Sequence, residues 1–520
     1  MRTERASLRS RHVESRLPCA RGAWRCGPLG RRPVSTGTTT GSIRRGAVWG
    51  SINSFSLRIG TFVTGLVLAR ILSPEEFGVY AIALTAQLIL VNIAELGLTP
   101  DLIRHGDLDG RGPTLTSLSL LSGAGMFALV YLSAPYLSAF MGASEATPVV
   151  RVLSLVVLIS ALGVVPAADI ARSFAQQKQF ASDAANFGVS TVVTIALAVL
   201  GLGAMSLALG RLAGQAVGTG LQFLLVRRVP RLGWNSGIAA GAIRFGLPLA
   251  LANVLSWVLL TADNAIVGRL LGPVALGFYV LAFNVSSWPM SVIGAAVRSV
   301  SLPAFAQSRD RSGRVEAAPM SQATALVGAV ALPAGVMLAA LATPLVHLLY
   351  GEVWLPAAEA LVGLALFGAL RVVMDLWVSF LTADGASRAV LVIQVVWVAA
   401  LLPAMWFTVQ RFGLAGAGNV HVVVAVLVAG PAYLVALRRN GMALRGLLAR
   451  VGATVLISVP PGLAAHAVAG QLASPFLAVL LGGLVGTGVW AALLLGANWV
   501  WSARRSVAMT PGVRALVPRW

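Results

Sequence analysis

The chain has 520 residues, of which 57% are hydrophobic and only 11% charged, and its mean hydropathy is +0.83. These values exclude a soluble globular protein of this size and indicate an integral membrane protein. A formal net charge of +21 would suit nucleic acid, but eleven arginines fall within the first 45 residues, where no RNA-binding module is recognisable. We therefore expect no nucleic-acid partner.

The first segment, residues 1–43, is predicted to be a basic, disordered cytoplasmic tail, because it has no apolar period. It is a solvated tail, a stretch upstream of the true start codon, or a segment attracted to anionic lipid headgroups. It does not resemble a signal peptide, since no apolar run follows its arginines. Its Cys19 and Cys26 lack the second cysteine pair of a zinc site. We expect no metal and no cofactor.

Continuous apolar runs of about 20 residues then follow along the chain. Because these runs do not alternate with polar residues, a transmembrane barrel is excluded. The predicted fold class is an all-α polytopic membrane protein of about 14 helices. The predicted helices cover residues 46–69, 77–98, 115–138, 150–170, 182–200, 205–226, 241–267, 276–303, 320–343, 358–382, 389–409, 417–437, 451–468 and 477–500.

Basic residues alternate from one side of the predicted spans to the other. The loops assigned to the inside are rich in arginine and include Lys178, whereas the outer loops carry Arg70, Arg151, Arg269 and Arg411. Basic loops stay in the cytoplasm during insertion. We therefore predict a multi-pass protein of the inner (cytoplasmic) membrane with both termini cytoplasmic, including a basic tail at 501–520.

A short segment at the end of the first predicted span occurs twice. Residues 69–83, "ARILSPEEFGVYAIA", align without gaps with residues 268–282, "GRLLGPVALGFYVLA", at a shift of 199. The identical positions pair Arg70 with Arg269, Leu72 with Leu271, Pro74 with Pro273, Gly78 with Gly277, Tyr80 with Tyr279 and Ala83 with Ala282. We call these two segments the hinge pair.

Six predicted spans separate the two copies, so the repeats run parallel and form a two-lobed bundle. The predicted domains are an N-lobe at 44–228 (helices 1–6), a C-lobe at 239–437 (helices 7–12), and helices 13 and 14 at 445–500. Transporters with parallel repeats bind their substrate between the halves and rock one half against the other. We expect Pro74 and Pro273 to terminate equivalent outer helix ends.

The residues that chemistry would require are largely missing. Lys178 is the single lysine and follows Gln177, so a Gly-Lys-Ser/Thr phosphate loop is excluded. The five histidines are dispersed, and no catalytic residue is predicted. An enzyme is the weaker class; a membrane glycosyltransferase or ligase would depend on outer-loop carboxylates such as Glu145 or Glu352.

Five stretches carry a family resemblance over most of residues 44–440. They are "LARILSPEEFGVYAIAL", "FGLPLALANVLSW", "ADNAIVGRLLGPVALGFYVLAFNVSSWP", "LPAFAQSRDR" and "RFGLAGAGNV". They resemble the polysaccharide flippase (Wzx-like) branch of the MOP exporter superfamily. The resemblance implies a flippase that moves an undecaprenyl-diphosphate-linked oligosaccharide from the inner to the outer leaflet for cell-surface polysaccharide biosynthesis.

The same resemblance implies the partners: the lipid-linked oligosaccharide, membrane lipid and polysaccharide assembly proteins. Directed export needs coupling to the membrane potential or to an ion gradient (H⁺ or Na⁺), and both stay open. Two other functions share the architecture and stay open. One is a flippase for the lipid-linked peptidoglycan precursor, and the other is a drug or cation antiporter. The antiporter would need carboxylates in its lobes, whereas the deepest charge of the first span is Arg58.

Charged and polar residues inside spans are candidates for function. The candidate substrate contacts are Arg58, Arg298, Arg371, Asp375, Gln87 and Asn253. The candidate gate and hinge residues are Arg70, Pro74, Arg269, Pro273 and Asp263.

Each candidate has a structural alternative. Arg58 lies roughly 18 Å into the first span at 1.5 Å per residue, too deep to reach an interface, so we expect it to contact the diphosphate; the alternative is an ion pair with a carboxylate such as Asp375.

The other candidates also have structural alternatives. Arg371 and Asp375, four residues apart, can neutralise each other. Arg298 and Asp263 can extend to an interface, and Gln87 and Asn253 can bond neighbouring helices. Arg70 and Arg269 can bond free carbonyls at a helix end.

Overall fold

Helices make up almost all of the described chain, as the continuous apolar runs predict. The computed structural model describes residues 56–94, 97–105, 107–173, 175–227, 231–312 and 317–508. The predictions for residues 1–43 and 46–55, and for most of the tail at 501–520, lie outside these ranges. The described residues belong to one compact unit.

Sixteen helices follow one another along these ranges. In the first half of the chain they are α1 (56–71), α2 (Pro74–Ala94), α3 (Leu98–His105), α4 (Gly112–Phe140), α5 (Thr147–Leu162), α6 (Val164–Arg172), α7 (Gln176–Val199) and α8 (Ala204–Val226). In the second half they are α9 (Ser236–Ser312), α10 (Ala317–Ala340), α11 (Ala342–Tyr350), α12 (Ala357–Ala383), α13 (Ser387–Val424) and α14 (Gly430–Arg439). The last two are α15 (Leu444–Ala469) and α16 (Pro475–Ala508).

The predicted fold class is confirmed. Wherever the chain is described, the predicted spans fall on helix except at single turn residues, which are Gly97, Gly163, Leu200 and Leu341. By length and composition, nine helices of the described ranges are suited to cross a membrane, and some of them hold two predicted spans, so a total of fourteen is consistent with the structure.

Two of the long helices are broken at a glycine. Gly272 (φ 83°) divides α9 into a first arm, 236–271, and a second arm, 273–312. Gly413 (φ 56°) divides α13 into arms 387–412 and 414–424, and the second arm continues through a π-helical turn into α14. Residues with a Cβ rarely adopt positive φ. Glycine at these positions therefore sets where one predicted span ends and the next begins.

The structure adds two details to the predicted elements. Pro74 follows the end of α1 and is also the first residue of α2, where its missing N–H group has no helical partner to lose. The predicted inner loop after residue 98 contains α3. Asp101 of α3 is fully buried and bonds the Arg111 guanidinium at 2.6 Å, an ion pair that fixes α3 against the start of α4.

Small residues let neighbouring helices approach closely. Gly210, Gly214 and Gly218 line one face of α8, and a Cβ on any of them would overlap Thr194 or Asn186 of α7. A stripe with glycine at every fourth position brings two helix backbones together in a membrane. The α7–α8 pair is therefore a rigid element of the first half.

Candidate functional site: the joint between the two halves

The hinge pair forms a near-symmetric contact between α2 and the second arm of α9. A Cβ on Gly78 would overlap the Pro273 carbonyl, and a Cβ on Gly277 would overlap the Pro74 carbonyl. Each half thus supplies a helix-opening proline carbonyl and receives it on a glycine of the other half. We call this contact the hinge joint.

Two loops extend the hinge joint in the same reciprocal manner. Each loop has a glycine at positive φ, Gly142 (85°) or Gly351 (93°), followed by a one-turn 3₁₀ helix. Gly142 of the first half lies against the Gly268 carbonyl and Arg269 of the second. Gly351 of the second half lies against the Arg70 guanidinium of the first. Each loop therefore covers a helix end that belongs to the opposite half.

Arg70 makes the kind of contact expected for it, but with a helix of the other half. Its Nη2 donates to the Leu348 carbonyl at 3.0 Å and its Nε to the Leu349 carbonyl at 3.3 Å. These carbonyls end α11, where no later N–H group of the helix can reach them. Arg269 is exposed and makes no hydrogen bond to another described residue. The two equivalent arginines therefore have different contacts.

Trp354 closes the centre of the hinge joint. Its side chain is 1% exposed, and its Nε1 donates to the Ala69 carbonyl at 2.8 Å. Phe77 from the first half and Phe278 from the second meet its ring edge-on, with centroids 5.2 and 5.9 Å away. Deeper in the molecule Phe62 stacks on Trp288 at 4.7 Å. Aromatic packing thus seals one end of the interface.

The opposite end of the interface has a different closure. Leu98 and Leu102 of α3 pack with Ala242 of the first arm of α9 in one small core. The Arg104 guanidinium lies 5.2 Å from the centre of the Phe245 ring, within the range of a cation–π contact. This contact is made by the short helix α3, which lies outside the two hinge segments.

Among the polar candidates of the first half, Gln87 is already engaged. It is 3% exposed, and its Oε1 accepts from Arg211 Nε at 3.0 Å. Arg211 also bonds Tyr80. The structure therefore gives Gln87 an internal partner, as in the alternative stated for it above.

Asp263, predicted at the gate or hinge, is buried below the hinge joint. Its Oδ2 accepts from the Tyr279 hydroxyl at 2.9 Å, and that hydroxyl lies 3.0 Å from His421 Nε2. Arg371 of α12 is exposed, and it lies close enough to act electrostatically on His421 and on Tyr433. One candidate gate residue and one candidate substrate contact thus belong to the same polar group.

Arg58 is an exposed residue of α1 and makes no hydrogen bond or ion pair to another described residue. Asp375 is half-buried on α12, and an ion pair between it and Arg58 is absent from the described contacts. The backbones of Asn253 and Arg298 are helical, but their side chains lie outside the described part of the chain. Their roles as substrate contacts stay predictions.

Comparison with known proteins places this arrangement in a family. A family model described as "Polysaccharide biosynthesis protein" matches residues 67–359, more than half of the chain and both copies of the hinge. The chain belongs to this family. The Wzx-like resemblance seen in the sequence is thereby confirmed.

Several curated relatives are similar over much of their length. The chain is 28% identical over 330 residues to the succinoglycan biosynthesis transport protein ExoT of Rhizobium meliloti (strain 1021), which covers 62% of this chain and 66% of that protein. It is 25% identical over 334 residues to the lipopolysaccharide biosynthesis protein WzxC of Escherichia coli (strain K12), covering 63% and 67%. The chain thus spans about two thirds of the length of each.

Two solved structures show the fold. The lipid II flippase MurJ in an inward closed conformation superposes with a TM-score of 0.70 at 14% identity, covering 87% of this chain and 99% of that one. An inward-facing MATE family multidrug resistance transporter of the MOP superfamily gives 0.58 at 17% identity, covering 76% and 98%. At such low identities these structures show that the chain has the same fold, and they show nothing about its substrate.

The sequence alone does not reveal the partners of several candidate residues. Tyr80 and Tyr279 were visible as identical positions of the hinge pair, but nothing local linked them to Arg211 and His421. The signal that could have done so is a second alignment, of Gly203 with Gly413 at a shift of 210. These glycines have nearly identical dihedral angles, (53°, −134°) and (56°, −135°), and this alignment pairs Arg211 with His421.

Proposed function

We propose that this protein is a flippase for an undecaprenyl-diphosphate-linked oligosaccharide. It moves the substrate from the inner to the outer leaflet of the inner membrane, for cell-surface polysaccharide biosynthesis, with both termini in the cytoplasm. The observation that carries the proposal is the reciprocal hinge joint within a chain of the polysaccharide biosynthesis family. The names of the relatives, a succinoglycan biosynthesis transport protein and a lipopolysaccharide biosynthesis protein, support the same substrate class.

The physical problem matches the architecture. A diphosphate with several sugars cannot cross about 30 Å of hydrocarbon unaided. An interface between two halves that opens at one end supplies a wet, polar path, while the prenyl chain stays in lipid. Arg58 is an exposed cation on α1 with no described protein partner, so it is available to the diphosphate, whose oxygens an arginine fork binds well.

The two ends of the interface are closed by different contacts, which suits alternating access. The hinge joint, with its gate residues Arg70, Pro74, Arg269 and Pro273, has to separate for release to the outer leaflet. The contact between Arg104 and Phe245 has to separate for entry from the inner leaflet. Directed export also needs coupling to an ion gradient, and the assembly proteins that receive the glycan are its expected neighbours.

The fold similarity to MurJ favours a second candidate, a flippase for the peptidoglycan precursor. A drug or cation antiporter shares the fold as well, but Arg58 on α1 suits an anion. A glycosyltransferase or ligase is disfavoured because the relatives' names describe transport and biosynthesis of polysaccharide, and because no carboxylate cluster stands in the described outer loops.

The decisive experiment deletes the gene and measures lipid-linked glycans on each face of the inner membrane. We expect one polyprenyl-linked oligosaccharide to accumulate in the inner leaflet and the surface polysaccharide to disappear, with recovery on expression of the wild-type chain. Accumulation of the peptidoglycan precursor would select the second candidate. Unchanged glycans with altered drug resistance would select the antiporter. Loss of surface polysaccharide on Glu145→Gln or Glu352→Gln, with a shortened glycan, would select the enzyme.

A further inference from the structure

Three buried titratable side chains meet at a point about 10 to 14 Å along each helix from its nearest break, Gly272 of α9 or Gly413 of α13, at 1.5 Å per residue. Asp263 is 8% exposed, Tyr279 0% and His421 4%. The Tyr279 hydroxyl donates to Asp263 Oδ2 at 2.9 Å and lies 3.0 Å from His421 Nε2. The three residues come from the two arms of α9 and the second arm of α13, so only the folded second half assembles them.

The charges around this trio are few. Asp263 forms no ion pair with a described residue, and its Oδ1 accepts the backbone N–H of Asn264 at 2.9 Å. The nearby charges come from α12: Arg371 interacts electrostatically with His421, and both Arg371 and Asp375 interact electrostatically with Tyr433 of α14. From α2 the neighbouring group is the neutral Thr85, which Asn264 Nδ2 approaches at 3.4 Å. A lone carboxylate in such a place is costly to keep charged.

The hydrogen bonds specify how a proton can move through the trio. A phenol has one hydroxyl proton, and Tyr279 gives it to Asp263, so the bond between Tyr279 and His421 is donated by Nε2. A neutral imidazole with a proton on Nε2 has a lone pair on Nδ1. His421 Nδ1 is buried and has no hydrogen-bond partner among the described residues. Nδ1 is therefore a basic nitrogen whose lone pair is free to accept a proton.

A proton that binds Nδ1 completes a balanced transfer. The imidazole becomes cationic, Nε2 passes its proton to the Tyr279 oxygen, and the Tyr279 hydroxyl proton moves to Asp263 Oδ2. The products are a neutral carboxylic acid, an intact phenol and a neutral imidazole protonated on Nδ1, so one proton is gained.

The first half has a tyrosine and a cation at the equivalent positions but lacks the buried carboxylate and the imidazole. The alignment at a shift of 199 pairs Tyr80 with Tyr279 and Thr64 with Asp263. The alignment at a shift of 210 pairs Arg211 with His421. Tyr80 bonds Arg211, as Tyr279 contacts His421. An arginine keeps its charge at every physiological pH, and a threonine does not ionise. At these equivalent positions the charge is constant in the first half, whereas the residues of the second half can bind and release a proton.

We propose that Asp263, Tyr279 and His421 form a proton-binding site that takes up one proton and thereby biases the hinge joint. The link to the joint runs through Asn264, which bonds Asp263 through its backbone N–H and reaches Thr85 of α2 through its side chain. This inference rests on the proposed function in one respect: it identifies the proton as the coupling ion of the flippase.

The test measures the hinge joint directly and needs no oligosaccharide. Cys19 and Cys26 are replaced by serine, and spin labels are attached to Ser144→Cys and Val353→Cys, exposed positions of the two reciprocal loops. Distances between the labels are measured by double electron–electron resonance between pH 5 and pH 8 in lipid nanodiscs. We expect two distance populations whose ratio follows a single proton-binding step.

The variants separate this site from other titrating groups. Asp263→Asn is expected to remove the pH dependence. Tyr279→Phe, which keeps the ring and removes the bridge, is expected to move its midpoint by about one pH unit; it also serves if Asp263→Asn fails to fold. His347→Gln is the control, because His347 Nε2 lies 3.9 Å from Glu352 Oε1 beside one label, and it should behave as wild type.

Distances that do not change with pH in the wild type, or a full pH response in Asp263→Asn, would overturn the proton site. Normal glycan export by Asp263→Asn would overturn its link to transport. If deletion of the gene leaves every glycan unchanged while the pH response persists and depends on Asp263, then the proposed substrate is wrong and the proton site stands.

Discussion

The hinge joint predicts a specific effect of one methyl group. In Gly277→Ala the new Cβ would overlap the Pro74 carbonyl oxygen and lie 2.8 Å from the carbonyl carbon, whereas ordinary carbon–carbon contact is about 3.5 to 4.0 Å. The α2 helix and the second arm of α9 would therefore have to separate by at least about 1 Å. Overpacking of this kind costs about 1 to 3 kcal/mol. Since about 1.4 kcal/mol is a factor of ten, the closed joint should lose roughly 5- to 150-fold of its population relative to the open one.

The spin-labelled pair at Ser144→Cys and Val353→Cys reports this population. We expect Gly277→Ala to deplete the short-distance population and to lower glycan export. Gly78→Ala, its partner in the repeat, should do the same. Gly65→Ala on α1 is the matched control, because a Cβ there has no neighbour within 4 Å and alanine favours helix by about 1 kcal/mol.

An unchanged distance distribution in Gly277→Ala, with export equal to that of Gly65→Ala, would refute the reasoning. It would mean that the two helices can shift at no cost. An effect of equal size in Gly65→Ala would also refute it, since the loss would then come from glycine replacement in general.

Three further outcomes are expected. Arg58→Ala should reduce glycan export at matched protein levels more than Arg58→Lys, because a diphosphate accepts either cation but favours the arginine fork; equal export by wild type and alanine would exclude a substrate contact. Trp354→Phe should lower the free energy of unfolding by about 1 kcal/mol, since the Ala69 carbonyl loses its donor, while the exposed Trp406→Phe should not. A cysteine at Ser144 should react with an impermeant reagent outside intact cells and one at the exposed Gln177 should not; the reverse pattern would invert the proposed topology.

Much of the fold follows from the sequence because membrane spans are set by local composition. An apolar run of about 20 residues has to form a helix, since its backbone groups cannot be left unpaired in hydrocarbon. The hinge pair likewise predicts that the halves run parallel. Short elements were harder to predict. The α3 helix is too short and too polar for a hydropathy signal, and the ion pair between Asp101 and Arg111 that holds it depends on the folded structure.

For the candidate site too, the sequence identifies individual residues but not their contacts. Arg70 lies at the end of the first predicted span, but its acceptors, the Leu348 and Leu349 carbonyls, are about 280 residues away in the chain. Asp263 was selected for its charge, yet its chemistry depends on His421, which belongs to another helix. Sequence patterns show which residues are unusual for their span. The tertiary fold determines which of them meet.

The reciprocal loops also have a consequence for how the protein is made. The Ala69 carbonyl is capped by Trp354, and Arg70 bonds Leu348, so the end of the first span is completed by residues that leave the ribosome much later. At roughly 5 to 20 residues per second, a separation of about 280 residues corresponds to some 15 to 60 s of translation. During that interval the first half has been synthesised without the residues that bond the end of its first span. These contacts can therefore form only after most of the second half has been made.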